Sequence, residues 1–166
     1  MQAAFADLAS RHGGLDALVN IAGGFRWETL SDGSIETWDR MYDVNVRTAV
    51  NACRAALPHL RAGGRIVNVG AAGATRAAAG MGAYAASKAG VARLTEALAE
   101  ELKERSITVN AVLPSIIDTP ANRADMPDAD HARWVRPQEL ADVILFLLDA
   151  RASAVTGALI PVTGRV

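Results

Sequence analysis

Arg65-Ile-Val-Asn-Val-Gly70 and Ile107-Thr-Val-Asn-Ala-Val-Leu113 are two short, nearly continuous apolar runs. Runs of this length and composition predict strands buried on both faces of a parallel sheet. Residues 71–80 between them are mostly small, and residues 81–105 have a helical period. Because parallel strands must be joined by a crossover of helical length, this stretch predicts a strand, a helix and a second strand in one sheet.

The same alternation continues in both directions from this unit. Gly13 and Gly14 suit the left-handed end of a helix, and Ser34 suits the start of one. Gly63-Gly64 predicts the end of a long helix, with a kink at Pro58 shortly before it. After Pro114 the sequence predicts an irregular stretch to about residue 136. The other predicted elements are helix 1–12, strand 16–22, helix 35–61, helix 137–149 and strand 158–162.

This order of elements predicts an α/β fold, a doubly wound, Rossmann-like parallel sheet in a single domain over residues 1–166. Such a fold has a Gly-rich phosphate-binding turn after its first strand and a ribose-binding acid after its second. The sequence contains neither feature, and Gly13-Gly14 has no strand before it. We therefore expect the chain to be the C-terminal portion of the fold, N-terminally truncated.

Composition excludes several classes of function. The 166 residues have a formal net charge of -1 and no basic stripe, which argues against a nucleic-acid partner. No apolar run is long enough for a membrane span, and no signal peptide is recognisable. Cys53 is the only cysteine and the three histidines lack metal-site spacing, so we expect a metal-free protein in the cytoplasm.

The segment Tyr84-Ala-Ala-Ser-Lys88 is the strongest candidate for chemistry. A spacing of four places Tyr84 and Lys88 on one helical face, where an ammonium can stabilise a phenolate and lower the tyrosine pKa towards neutrality. A tyrosine of that kind could act as a general acid or base. Taken alone, the pattern is also typical of an ordinary surface pair.

Further motifs make the chain resemble the short-chain dehydrogenases/reductases along essentially its whole length. They are Asn20-Ile-Ala-Gly23, Asn45 within Asp-Val-Asn-Val, Asn68-Val-Gly70, Tyr84 to Lys88 and Val109-Asn-Ala-Val-Leu-Pro114. The resemblance implies an oxidoreductase in which Tyr84 transfers the substrate proton and Lys88 lowers its pKa and bonds the nicotinamide ribose. It also implies that Asn45 holds a water molecule in the proton relay.

The resemblance further implies a site for NAD or NADP. Its contacts are expected from Asn20, Ala22, Gly23, Tyr84, Lys88, Pro114, Ile117 and Thr119. Pro114-Ser-Ile-Ile-Asp-Thr119 is similar to the family's loop beside the nicotinamide, with Ser115 in place of a glycine. Residues that choose between the two cofactors are absent from the sequence.

One position departs from the family pattern. The catalytic serine would fall at residue 71, which is Ala71, and Thr75 is the only nearby hydroxyl that could substitute. Loss of one preorganised donor typically costs ~3 kcal/mol of transition-state stabilisation, so a simple ketone should react slowly. Quinonoid dihydropteridine reductases also lack this serine, and the chain resembles them through Ala22-Gly-Gly24, Gly80-Met-Gly-Ala-Tyr84 and the stretch 113–130 followed by Trp134.

These resemblances imply hydride transfer between NAD(P) and a small carbonyl or quinonoid/imine-like acceptor, with Trp134 as a lid. They also imply a homodimer or homotetramer formed through helices 35–61 and 81–105. The alternative is a catalytically inactive fragment or pseudo-enzyme that retains the oligomerisation helices. The strand at 16–22 would then be an exposed sheet edge.

Overall fold

A computed structural model describes all residues, 1–166. Its helices are α1 (Gln2–His12), α2 (Ile35–Met41), α3 (Thr48–Ala56), α4 (Gly82–Leu102), α5 (Pro120–Asp125) and α6 (Pro137–Leu148), with a π-helical segment at Tyr42–Arg47. Its strands are β1 (Leu15–Asn20), β2 (Leu60–Val69), β3 (Thr108–Pro114) and β4 (Leu159–Val162). The predicted alternation of helices and strands is confirmed.

The four strands form one parallel sheet in the order β1-β2-β3-β4. Val67 of β2 lies between Val19 of β1 and Asn110 of β3, so strands that follow one another in the chain are neighbours in the sheet. Strands β1 and β4 are the two edges. The carboxyl ends of the strands therefore meet on one side, where parallel α/β sheets bind ligands.

Each face of the sheet is covered by an apolar layer. On one face, Leu18, Ile66 and Val109 pack against α3 and α4 in a core whose helical members are Cys53, Ala56, Leu98, Ala99 and Leu102. On the other face, Val67 and Val112 pack against Leu140 and Leu147 of α6. Successive side chains of a strand point to opposite faces of the sheet. Because both faces are buried here, the strand sequences are nearly continuous apolar runs.

The predicted helix over 35–61 is confirmed to residue 56 and wrong over its last five residues. The helical chain ends at Ala56, Pro58 lies in the turn after it, and Gly63-Gly64 belong to β2 rather than to a helix end. Pro58 has no N–H with which to continue the helical ladder. Gly63, with φ of +76°, lies where β2 departs from regular pairing, because Leu60 pairs with Leu15 whereas Arg65 pairs with Ala17.

Several local predictions are confirmed. Gly13 closes α1 in the left-handed conformation, and the Ser34 hydroxyl accepts a hydrogen bond from the Thr37 N–H at the start of α2. The stretch predicted as irregular after Pro114 contains the short helix α5, capped by Thr119. None of the helices has both the length and the apolar composition needed to span a membrane.

Candidate active site

Asn45 lies in the π-helical segment and is 2% exposed. Its side-chain oxygen accepts from the Gly24 N–H at 2.9 Å, and its side-chain nitrogen donates to the Gly24 carbonyl oxygen at 3.0 Å. The same nitrogen lies 3.0 Å from the Ser87 hydroxyl oxygen, to which it donates. Asn45 therefore holds the chain at Gly24 and ties it to α4.

Gly23 lies where no larger residue fits. A Cβ atom at this position would be 2.6 Å from the Asn45 side-chain oxygen and 3.3 Å from the Lys88 Nζ. The backbone of residue 23 therefore runs against both polar side chains, and Ala22 and Gly23 are themselves exposed. This close approach explains why a glycine is needed at this point of the loop after β1.

Lys88 is buried, with 6% of its surface exposed, and its Nζ donates to the Val69 carbonyl oxygen at 2.9 Å. Burial lowers the pKa of Lys88 from 10.5 to about 8, because a charged amine loses hydration inside the protein. Val69 is the last residue of β2, so the amine lies at the carboxyl end of the sheet. Two of its three ammonium hydrogens remain for other acceptors.

The prediction that Lys88 lowers the pKa of Tyr84 towards neutrality is wrong. Burial raises the pKa of the Tyr84 phenol above its ordinary value, and Lys88 does not offset this rise. The cause of the rise is the loss of hydration of the phenol on burial, which disfavours the charged phenolate. Spacing on one helical face therefore does not by itself produce a tyrosine with a lowered pKa.

The surroundings of the Tyr84 ring are apolar. The Phe25 ring meets it edge-on at a centroid distance of 4.9 Å and an interplanar angle of 82°. Ala71, at the position expected for a serine, is buried and supplies no hydroxyl. Thr75 does not substitute for it, since its hydroxyl donates to the Ala72 carbonyl oxygen at 2.8 Å within its own turn.

Ser87 is a site residue that the sequence analysis missed. Its buried hydroxyl donates to the Tyr84 carbonyl oxygen at 2.7 Å and accepts from Asn45. It thereby connects the π-helical segment to the first turn of α4. The available signal was its position three residues after Tyr84 and one before Lys88, which places it near both on a helix.

Asn20 contacts the protein interior through its side chain. The amide nitrogen donates to the Asn68 side-chain oxygen at 2.8 Å and also approaches the Cys53 sulfur at 3.3 Å. Asn68 in turn donates to the Thr95 hydroxyl. This polar ladder joins β1, β2 and α4, so the Asn20 side chain is not directed to a cofactor.

The loop after β3 carries the other expected cofactor contacts. Pro114 ends the strand, and the Ser115 hydroxyl donates to the Thr163 carbonyl oxygen at 2.8 Å. The Ile117 carbonyl oxygen accepts from the Asn122 side chain, and the Thr119 hydroxyl accepts from the Asn122 N–H. The loop is thus held in one shape by its own side chains.

Trp134 is not a lid. It is buried, and its ring lies 4.5 Å from that of His131 between centroids. A cavity of about 840 Å³ is lined by this tryptophan and several arginines and does not include Tyr84 or Lys88. Two of those arginines form ion pairs, Arg123 with Asp118 and Arg136 with Glu139.

Comparison with known proteins identifies the family of this fold and site. The family model described as enoyl-(acyl carrier protein) reductase matches residues 1–164. A 3-oxoacyl-[acyl-carrier-protein] reductase of Thermotoga maritima is 36% identical over 95% of this chain and 68% of its own length. The chain belongs to the short-chain dehydrogenase/reductase family. Members of this family are NAD(P)-dependent oxidoreductases.

Other members show the breadth of the family. A cyclopentanol dehydrogenase of a Comamonas species is 37% identical over 90% of this chain, which spans 65% of the length of that enzyme. A short-chain dehydrogenase of Burkholderia cenocepacia, solved in complex with NADP, is 38% identical with a TM-score of 0.90. The alignment with that structure covers 98% of this chain and 70% of the other.

Proposed function

We propose that this chain carries the catalytic residues of an NAD(P)-dependent oxidoreductase, which transfers a hydride between a nicotinamide cofactor and a small carbonyl or quinonoid/imine-like acceptor. The observation that supports this most directly is the convergence of Tyr84, Lys88 and Asn45 at the carboxyl end of the sheet. Gly23, Asn45 and Lys88 are in close contact there, and Tyr84 lies one helical turn from Lys88. Membership of the family agrees with this assignment.

In this proposal, the Tyr84 hydroxyl gives a proton to the acceptor oxygen or nitrogen, or takes it in the reverse direction. The bound cofactor supplies or receives the hydride. Lys88 keeps two ammonium hydrogens for the ribose and for a proton path, and Asn45 and Ser87 hold the backbone on either side of the phenol. Asn45 acts mainly as a positioning residue, because its side-chain amide is already fully engaged by protein groups.

The residues present fit the nicotinamide end of the cofactor. Exposed Ala22 and Gly23 leave open backbone beside the Lys88 amine, and the loop from Pro114 to Thr119 is the proposed cover. Backbone groups at Asn20 and Ile117, rather than their side chains, are the contacts we propose there. A Gly-rich turn for the diphosphate is not part of this sequence.

We propose further that the acceptor is an activated one, as in the dihydropteridine-reductase-like subgroup that residues 113–130 resemble. The support is Ala71: without a second hydroxyl donor, a carbonyl would have to be polarised by Tyr84 alone. A quinonoid or imine-like group accepts hydride without that help.

Assembly and location are part of the same proposal. We propose a cytoplasmic homodimer or homotetramer built through the helices within 35–61 and 81–105. Ala86 and Ala97 are small, exposed residues on the outer surface of α4, where a second helix could approach closely on either side of Arg93. The single, buried Cys53 has no disulfide role.

The first experiment measures NADH and NADPH binding to this chain by calorimetry, followed by turnover of a quinone acceptor. We expect Tyr84→Phe to keep cofactor affinity and lower kcat by at least about 100-fold, the usual contribution of a general acid. Tyr42→Phe is the matched control, because that tyrosine is exposed on the π-helical segment. Equal rates for the two variants would refute the role of Tyr84.

An inactive fragment or pseudo-enzyme is the second candidate. The observation in its favour is Ala71, which leaves the site without the serine hydroxyl expected there. A folded oligomer that binds neither cofactor would support this alternative. Binding of either cofactor together with turnover that depends on Tyr84 would exclude it.

A further inference from the structure

Phe25 and Trp27 are large aromatic residues that remain exposed in the loop leading away from β1. Phe25 is 58% exposed and Trp27 is 57% exposed, although aromatic side chains of this size are usually buried. Phe25 contacts the Tyr84 ring edge-on at 4.9 Å between centroids. We call these two residues the aromatic wall.

Trp27 is exposed but fixed. Its indole N–H donates to the Ala79 carbonyl oxygen at 3.0 Å, and the next residue, Glu28, donates from its backbone N–H to the Gly80 carbonyl oxygen at 2.8 Å. The indole ring lies directly on Gly80, where a Cβ atom would be 2.2 Å from the ring. A preorganised aromatic surface of this kind binds a ligand without a further entropic cost of ordering.

Gly73 also lies beside the Tyr84 ring. A Cβ at Gly73 would lie 3.9 Å from the Tyr84 ring and 3.5 Å from the Met81 methyl carbon. Ala71 contributes no hydroxyl, and the Thr75 hydroxyl is used within its own turn. The described neighbours of the Tyr84 ring, Phe25 and Gly73, are therefore apolar and leave its hydroxyl without a competing hydroxyl from Ala71 or Thr75.

We propose that the aromatic wall is a specificity determinant that selects acceptors with a flat, fused ring over linear aliphatic acceptors of equal size. A flat ring can pack against Phe25 and Trp27 while its carbonyl reaches Tyr84. It also loses little internal freedom on binding, whereas a linear chain loses several rotatable bonds. This inference rests on the proposed role of Tyr84 as the proton donor, and it adds the class of acceptor.

The test observes ligand binding by NMR, without depending on turnover. The indole N–H signal of Trp27 in ¹⁵N-labelled protein is assigned with Trp27→Phe and followed during titration with α-tetralone or with 2-decanone, a linear ketone of equal carbon number. Both titrations are carried out with and without NADPH. The buried Trp134 in the same molecule reports any non-specific effect.

We expect α-tetralone to shift the Trp27 signal, to leave the Trp134 signal in place and to bind at least about fivefold more tightly than 2-decanone. Phe25→Leu keeps an apolar side chain and removes the ring, so this preference should disappear. Phe146→Ala, at an exposed aromatic residue on α6, is the matched control and should keep the preference. An unmoved Trp27 signal, or an unchanged preference in Phe25→Leu, would overturn the proposal.

The two proposals fail in different ways. If α-tetralone binds at Trp27 with the expected preference but Tyr84→Phe has the same turnover as the parent chain, the catalytic assignment fails and the aromatic wall stands. If turnover depends on Tyr84 but ring-containing and linear acceptors bind equally, the aromatic wall is refuted and the proposed function stands.

Discussion

At the scale of single residues, two effects act on the protonated amine of Lys88: burial destabilises it and a hydrogen bond stabilises it. Burial withdraws its amine from water and lowers its pKa to about 8, while the Val69 carbonyl oxygen gives it one hydrogen bond. A single neutral acceptor does not replace the hydration of a full charge. The pKa of the Lys88 amine is therefore about 8, below the value of an exposed lysine.

This shift predicts a pH dependence of stability. Between about pH 8 and pH 10.5 the unfolded chain keeps the Lys88 proton that the folded chain has lost, so the free energy of unfolding should rise with pH in this window. Below about pH 8 both states are protonated and the effect is constant. Relative to Lys88→Met, the parent chain should gain up to roughly 3 kcal/mol across the window.

Urea unfolding of both proteins at several pH values measures this difference. Lys103→Met is the control, because Lys103 is exposed and its interaction with Glu100 raises its pKa instead. Parallel stability curves for the parent chain and Lys88→Met between about pH 8 and pH 10 would contradict the burial argument.

At the scale of elements, the loop after β1 is attached to the rest of the site at two points. Asn45 of the π-helical segment holds Gly24, and Trp27 is fixed on Gly80 ahead of α4. The π-helical segment also carries the Thr48 hydroxyl bond to the Val44 carbonyl oxygen at 2.6 Å, at its junction with α3. π-Helical turns within helices are frequent at functional sites, and this one lies beside the proposed site.

Gly80→Ala should displace the Trp27 ring from its position on residue 80. Gly80 has φ of +74° and its added Cβ would overlap the Trp27 ring, so both the backbone and the contact oppose the change. Gly63→Ala is the matched control, because Gly63 has φ of +76° but nothing within 4 Å of its Cβ position. The control should lose about 1 kcal/mol of stability from backbone strain alone.

Chemical denaturation and the indole N–H signal of Trp27 measure the outcome. We expect Gly80→Ala to lose more stability than Gly63→Ala and to shift the Trp27 signal, which Gly63→Ala should leave unchanged. Equal losses and an unshifted signal in both variants would mean that Trp27 is not fixed by Gly80.

At the scale of the whole molecule, one sheet separates two apolar layers and carries the site at its carboxyl edge. The layer with α3 and α4 includes the Asn20–Asn68–Thr95 ladder, which ties β1, the edge strand, to the centre of the fold. The apolar layer formed with α6 covers the other face of the sheet. The outer surface of α4 is left for contact with another copy in the proposed oligomer.

Ala97→Arg should disrupt that oligomer, because Ala97 is exposed on α4 and a long charged side chain would separate two closely packed helices. Light scattering after size exclusion should give a lower mass, with an unchanged circular dichroism spectrum. Ala121→Arg, at an exposed alanine on α5, should keep the mass of the parent chain. If Ala97→Arg has the same mass as the parent chain, the two copies do not meet at this surface of α4.

The sequence alone determined the order of elements and the general place of the site. Strands with apolar residues on both faces, such as Arg65 to Gly70, and a helix closed by Gly13 are local patterns that follow from backbone geometry. The spacing of Tyr84 and Lys88 placed both on one helical face for the same reason. The Asn45 and Gly23 motifs then indicated the family.

Only the tertiary structure decided how those residues act. The π-helical segment, the inward direction of the Asn20 side chain, the role of Ser87 and the burial of Trp134 all depend on partners distant in the sequence. The pKa of Tyr84 and of Lys88 depends on how much water the fold excludes and on which carbonyl the amine meets. Local periodicity carries no information about those distances, because solvation and hydrogen bonding are set by the packed chain as a whole.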